Sequence, residues 1–323
     1  MKKIVFMFIA LIAISQNVCA QGMTATLQSG EDLKVFYGID AFKDAYEEAK
    51  DGDQITLSAG TFNTPDGSVT KSLRITGIGA YEESANTVFA SLTAAGKNIR
   101  IEGVKFTNTL YVSGSKDLIV TRCWVEKLNA SSNYTNALFD QCVHKEIKGM
   151  PYAIDFTFKN CTINDFSDEN ATSNIGRIFN SVIYYFISWN EESHKRPYAI
   201  YKNCILGSEG LIGPQAIVCN APSEFYNNVG FSINYSTSFN FGVGCVNSGN
   251  QVLSYTDLFN KTMSYPAKPQ NAPTGDDGTP VGPYGGTGFS QYPAIPRVVS
   301  KAIDGKTDDE GKINVEIKMK VEN

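Results

Sequence analysis

Histidine is nearly absent from this chain of 323 residues, which holds only His144 and His194, and tryptophan is equally rare. Two histidines leave little material for a Ser-His-Asp arrangement. None of the seven cysteines stands in a CxxC pair, so no metal site is expected from cysteine spacing. Charged residues are sparse at 19%, and a net charge of −5 gives no electrostatic reason to expect nucleic acid or an anionic membrane as partner. Long apolar runs are missing too. The longest, Ile4 to Ile14, falls short of the roughly 30 Å hydrocarbon core of a bilayer, and no later segment could cross one.

What is present begins with an export signal. Lys2 and Lys3 precede that apolar run, and Val18-Cys19-Ala20 supplies small residues for cleavage. Gln16-Asn17-Val18 does not suit a lipoprotein cysteine, so residues 1–20 read as a signal peptide with a freed N-terminus near Gln21. Without Lys2 and Lys3 the charge is −7. The destination is the periplasm, the cell surface or the medium. Oligomeric state is not legible.

A short pattern then recurs: apolar, variable, Gly/Asn/Arg/Gln, then Cys or a small apolar residue. Copies include Ile101-Glu102-Gly103-Val104, Val120-Thr121-Arg122-Cys123, Phe139-Asp140-Gln141-Cys142, Phe158-Lys159-Asn160-Cys161, Tyr201-Lys202-Asn203-Cys204 and Tyr226-Asn227-Asn228-Val229. Their fourth residues fall at 78, 104, 123, 142, 161, 181, 204 and 229. A period near twenty that stretches while keeping its motif describes coils with variable loops. Apolar residues return two positions later, at Phe62, Phe106, Val125, Ile163, Ile183, Leu206 and Phe231, and again at Leu110, Leu128, Ile147 and Phe166. Alternation on both sides of one special residue implies two strands meeting at a tight corner, where Asn and Gly tolerate a left-handed backbone. The amides of Asn160, Asn180, Asn203 and Asn228 are then expected to stack and bond to one another. The reading is an all-β, right-handed parallel β-helix with three short strands per coil and about 8–10 coils. A leucine-rich solenoid fits worse, because its Leu-x-x-Leu-x-Leu frame is missing and β-branched and aromatic residues predominate.

The ends need caps. Asp40 to Lys50 reads as an amphipathic helix, with Asp40 at its N-cap and Gly52 beyond its end. Residues 21–264 would form the capped β-helix, and residues 265–323 an extension packed on it. Tyr265 to Pro296 carries seven of the twelve prolines and six glycines, so it reads as loop. Lys312 to Val321 alternates cleanly and reads as a half-buried strand.

These features resemble the pectin-lyase-like right-handed β-helix proteins. The likeness covers roughly Phe36 to Phe259 and rests on the helix followed by Gly52-Asp53-Gln54-Ile55-Thr56-Leu57, the Asn-bearing corner and the coil spacing. More narrowly, the chain looks like the exported β-helix proteins of polysaccharide-degrading Gram-negative anaerobes. The resemblance implies a fold that hosts lyases, hydrolases, esterases and inert adhesins, and it implies no single activity.

A lyase of this kind would need stacked carboxylates for Ca²⁺ and an Arg or Lys base. The residues just after the third apolar points, Tyr111, Asn129, Lys148 and Ser167, hold no acidic stack. The best catalytic candidates are Asp165, Asp168 and Glu169, with Lys148 and Arg177, although a solvated polar turn is the simpler expectation. The adjacent aspartates or Gly-His-Gly of β-helix glycosidases are missing from the coils. His144 falls on an inward position and should be a buried, hydrogen-bonded core residue; His194 sits in a polar loop. Cys123, Cys142, Cys161 and Cys204 share one ladder position and should be structural, leaving Cys219 with Cys245 as the one disulfide to consider. No cofactor is expected, Ca²⁺ entering only with the lyase alternative. The positive hint is aromatic. Trp124, Tyr184, Tyr185 and Trp189 could stack on sugar faces, or could lie under the Asn190–Pro197 loop or the C-terminal strand. The functional expectation is therefore an exported, noncatalytic glycan-binding β-helix, with a divergent polysaccharide lyase or glycoside hydrolase as the alternative.

Overall fold

The computed structural model describes residues 22–81, 86–132, 134–148, 153–166, 176–187, 198–208, 215–216, 223–232, 239–241, 245–259, 264–293, 297–303 and 315–320. It is a parallel β-solenoid, as the spacing predicts. One twelve-stranded sheet opens with an antiparallel hairpin, Thr24–Ser29 and Asp32–Tyr37, followed by ten parallel strands from Gln54–Leu57 to Val246–Ser248. A second sheet of the same number runs alongside, from Gly60–Phe62 to Gln251–Val252. In the middle coils the expected second and third strands fuse into one bent strand, as in Val104–Ser113 and Trp124–Ser132. Among the described residues, the third face holds isolated bridges between Lys97, Lys116 and Thr135 and two-stranded fragments.

The inward columns are those the alternation indicates. Ile101, Val120, Phe139, Phe158 and Ile178 are stacked in register and buried, as are Phe106, Val125, His144 and Ile163. Each coil donates backbone hydrogen bonds to the next at the corner. Arg122, Gln141, Asn160, Asn180 and Asn203 hold positive φ, and each N–H reaches the carbonyl of Asp140, Lys159, Phe179, Lys202 or Tyr226 in turn. A second left-handed column, Asn98, Asp117, Asn136 and Asp155, turns the chain on the opposite side.

The corner also departs from expectation. In the coil after Asn203 the left-handed residue is Asn227, not Asn228. Asn228 instead occupies the cysteine ladder, where its Oδ1 accepts from Cys204 N at 2.9 Å. Ser181 plays the same part for Cys161 N at 3.0 Å. This shift of one residue turns Phe231 outward, because Leu206 is in register with Gly230. The corner amides do not form a ladder among themselves. Asn160 Nδ2 donates to the carbonyls of Pro283 and Gly285, Asn180 Nδ2 to Asp277, and Asn203 Nδ2 to Asp276.

Those partners belong to the Pro/Gly-rich extension, which acts as a strap along the solenoid. Beneath it lies a second apolar cluster, outside the coils: Val182, Tyr184, Ile205, Val229 and Phe231 pack against Leu258, Phe259, Ala267 and Val281. The strap reaches as far as Pro293, beside Gly103. Beyond it, Arg297–Ile303 pairs antiparallel with Val315–Lys320, so the expected C-terminal strand has a partner the sequence reading missed. At the other end, α1 (Ala41–Glu48) buries Ala41, Phe42 and Ala45 over the first coil. Asp40 stands at its N-cap without a side-chain cap bond; its carboxylate accepts from Asn63 Nδ2 at 2.8 Å instead.

Candidate functional site

Two arrangements on the outer face of the second sheet have chemical potential. The first is a charged column. Register places Lys127, Glu146, Asp165 and Tyr185 on successive strands, one position before the buried Leu128, Ile147 and Phe166. Glu146 and Asp165 therefore form a two-carboxylate stack. The pair lies just before the third apolar points, whereas the positions just after them, Asn129 and Lys148, hold no acidic stack. Glu146 is neutralised on both sides, by Lys148 at 2.5 Å and Lys127 at 3.7 Å. Asp165 Oδ1 is buried and has no hydrogen-bond partner.

The other expected members do not join this column. Arg177 lies on the first sheet, in register with Thr157, and is ion-paired to Asp155. Asp168 and Glu169 lie outside the described residues. Among the described residues, no three His, Cys, Asp or Glu side chains gather as a metal set. The column thus offers a pair of carboxylates held by lysines. A uronate-bound Ca²⁺ would have to displace those lysines.

The second arrangement centres on Trp124, which the alternation places outward. Val143, Thr162, Val182, Ile205 and Val229 continue its column and are buried, the last three beneath the strap and Thr162 bonded to its Ala267 N, whereas Trp124 is only half-buried. Tyr81 and Tyr265 meet it edge-on, with centroids 6.1 and 6.4 Å away. Lys105 Nζ stands 5.5 Å over the indole, and the indole N–H donates to Glu126 at 3.2 Å. Lys145 Nζ lies 3.5 Å from the Tyr265 ring centre; burial lowers the pKa of this amine, while the same effect pushes the Tyr265 phenol up to about 12. The cover over Trp124 therefore comes from the strap and the Tyr81 loop. No sequence signal singled out Tyr81, Lys105, Glu126, Lys145 or Tyr265, since only coil register brings them together.

No family model matches the chain, and comparison with curated proteins and with solved structures likewise finds no match.

The other aromatic candidates separate. Tyr184 is fully buried, its ring packed on Phe231, Phe259 and Tyr265 and its hydroxyl donating to Ser264 O at 3.2 Å. It belongs to the strap interface and presents no face to a ligand. Tyr185 is half-buried beside Asp165, and Trp189 lies outside the described residues.

His144 is inward and buried as expected, but it is not hydrogen-bonded. Both ring nitrogens lack partners, and the imidazole sits edge-on to Phe139 and Phe158. Cys123, Cys142, Cys161 and Cys204 are buried free thiols whose sulfurs lie 3.1 to 3.4 Å from backbone carbonyls. Burial raises the pKa of Cys142 and Cys204, the latter to about 12, which suits inert core thiols. His194 and Cys219, and with it the Cys219–Cys245 pairing, lie outside the described residues. No described helix is long and apolar enough to cross a membrane.

Proposed function

We propose that this protein is an exported, noncatalytic β-helix of the pectin-lyase-like kind that binds glycan at the Trp124 cluster. The observation that carries this reading is the half-buried indole set between Tyr81 and Tyr265, with Lys105 and Glu126 at its edge. A fixed aromatic face takes the apolar side of a sugar ring, and charged groups around it bond the equatorial hydroxyls. The rigid solenoid holds the rings in place before the ligand arrives, which lowers the ordering cost of binding.

A catalytic reading draws on the buried, unpartnered Asp165 Oδ1 beside Glu146. It would make the protein a divergent lyase or hydrolase of acidic polysaccharide. The lysines on Glu146 count against it, because a carboxylate already bonded to ammonium groups is a poor Ca²⁺ ligand.

A glycan array, run beside reducing-sugar and unsaturated-uronate assays, separates the two. The expected outcome is binding without turnover, and a loss of roughly tenfold or more in affinity for Trp124→Ala. Turnover that disappears in Asp165→Asn or Asp168→Asn would replace the binding reading with the catalytic one.

A further inference from the structure

The first sheet has its own outer face, on a different side of the coil from Trp124. Along its later strands the register stacks Lys159, Phe179, Lys202 and Tyr226 in one outward column, with Arg177 and Glu224 in the column beside it. Their inward neighbours Phe158, Ile178, Tyr201 and Phe225 are buried, and the six outward residues are partly exposed. Phe179 and Tyr226 are two strands apart, with Lys202 between them. At about 4.8 Å per strand this sets the two rings about 9.6 Å apart along the solenoid axis.

We propose that this face is a second binding surface, for an uncharged, extended β-1,4-linked polysaccharide lying along the solenoid axis. In such a chain each sugar is flipped relative to the one before, so the same face returns every second sugar. Two strands of a parallel solenoid span nearly that repeat. Phe179 and Tyr226 thus stack on sugars n and n+2, and Lys202 meets the hydroxyls of the sugar between. The charges on this face are already answered by partners. Lys202 pairs with Asp276 at 2.8 Å, Arg177 with Asp155, and Tyr226 Oη donates to Glu224 at 2.8 Å. Burial raises the pKa of Asp140, and the charge of Lys159 offsets part of that rise. The face therefore carries hydrogen-bonding groups without a net field that would select a polyanion. A lysine between the two rings is equally unsuited to the dry, charge-depleted centre of a protein–protein interface.

The test is isothermal titration of the full chain with β-1,4-linked gluco- and manno-oligosaccharides of two to six sugars, with oligogalacturonate as the anionic control. Stacking on sugars n and n+2 needs at least three sugars, so affinity should rise steeply from disaccharide to trisaccharide and more gently afterwards. Phe179→Ala and Tyr226→Ala should each weaken hexasaccharide binding roughly tenfold. Phe179→Leu, which keeps apolar bulk on the sheet, should lose binding while circular dichroism stays unchanged. Trp124→Ala should leave this chain-length dependence in place, which separates failure here from failure of the Trp124 site. Binding that is indifferent to Phe179 and Tyr226, tighter binding of oligogalacturonate, or a change of sedimentation coefficient when Phe179→Ala and Tyr226→Ala are combined would each overturn the proposal.

Discussion

A neutral imidazole with no hydrogen bond is an uncommon occupant of an otherwise aliphatic and aromatic column. His144 stacks between Val125 and Ile163, fully buried, and burial lowers its pKa to about 3 from an ordinary 6.5. The folded state therefore binds no proton there at mildly acid pH, while the unfolded chain does. Because the folded pKa is depressed, the stability is fully present above about 6.5 and declines as pH falls toward 3, by about 1.4 kcal/mol per pH unit. His144→Leu removes the titration and the two unsatisfied nitrogens together. At pH 7 the variant should be more stable by about 1–3 kcal/mol, and its advantage should widen as pH drops to 4. Urea unfolding at several pH values measures both effects. An advantage that stays constant with pH would show that the imidazole is not held neutral by burial.

At the scale of the coil, the corner asparagines have two separable duties. Asn160 adopts φ 50°, and its amide donates to Pro283 O at 2.9 Å and Gly285 O at 2.5 Å while accepting from Thr287 Oγ1 at 3.0 Å. Asn160→Gly keeps the backbone and removes the amide. It should cost about 2–3 kcal/mol, and Asn160→Ala about 1–2 more for the left-handed strain. Gly285→Ala tests the same seam from the strap side, because a β-carbon there would collide with the Pro280 carbonyl oxygen and crowd Asn180 Nδ2. Thermal melts rank these variants, and equal Gly and Ala variants at 160 would deny the backbone duty. These corners also show what the sequence made legible. The repeat Asn-Cys at a spacing near twenty located the coil, the ladder and the inward columns, because sterics at one backbone position recur wherever the turn recurs. In Tyr226-Asn227-Asn228 two asparagines suit the corner equally well, so pattern could not choose between them and the register of Phe231 was lost. The amides' true partners lie more than seventy residues away in a Pro/Gly segment without periodicity. Glu146 and Asp165 became a stack only once register was fixed.

For the molecule as a whole, the strap makes the solenoid two cores rather than one. The inner core follows from stacking alone, since each coil hydrogen-bonds to its neighbours and buries its own alternate residues. The outer cluster requires Leu258, Phe259, Ala267 and Val281 to cover Val182, Ile205, Val229 and the rings of Tyr184 and Phe231. A chain ended after Ser254 keeps every coil and loses that cover together with the strap's bonds to Asn160, Asn180 and Asn203. Its far-UV circular dichroism should remain that of the parent, because ladder bonds do not pass through the strap. It should nonetheless bind a hydrophobic dye and self-associate, since a contiguous apolar stripe of this kind is seldom left exposed on a soluble surface. Replacing Val182 and Ile205 with Thr in the truncated chain should restore a monomer, because both side chains face outward and their removal leaves the inner core untouched. Light scattering and dye fluorescence read these outcomes. Loss of the β spectrum on truncation would instead mean that the coils beneath the strap cannot stand on stacking alone, and that covering the outer face is part of folding.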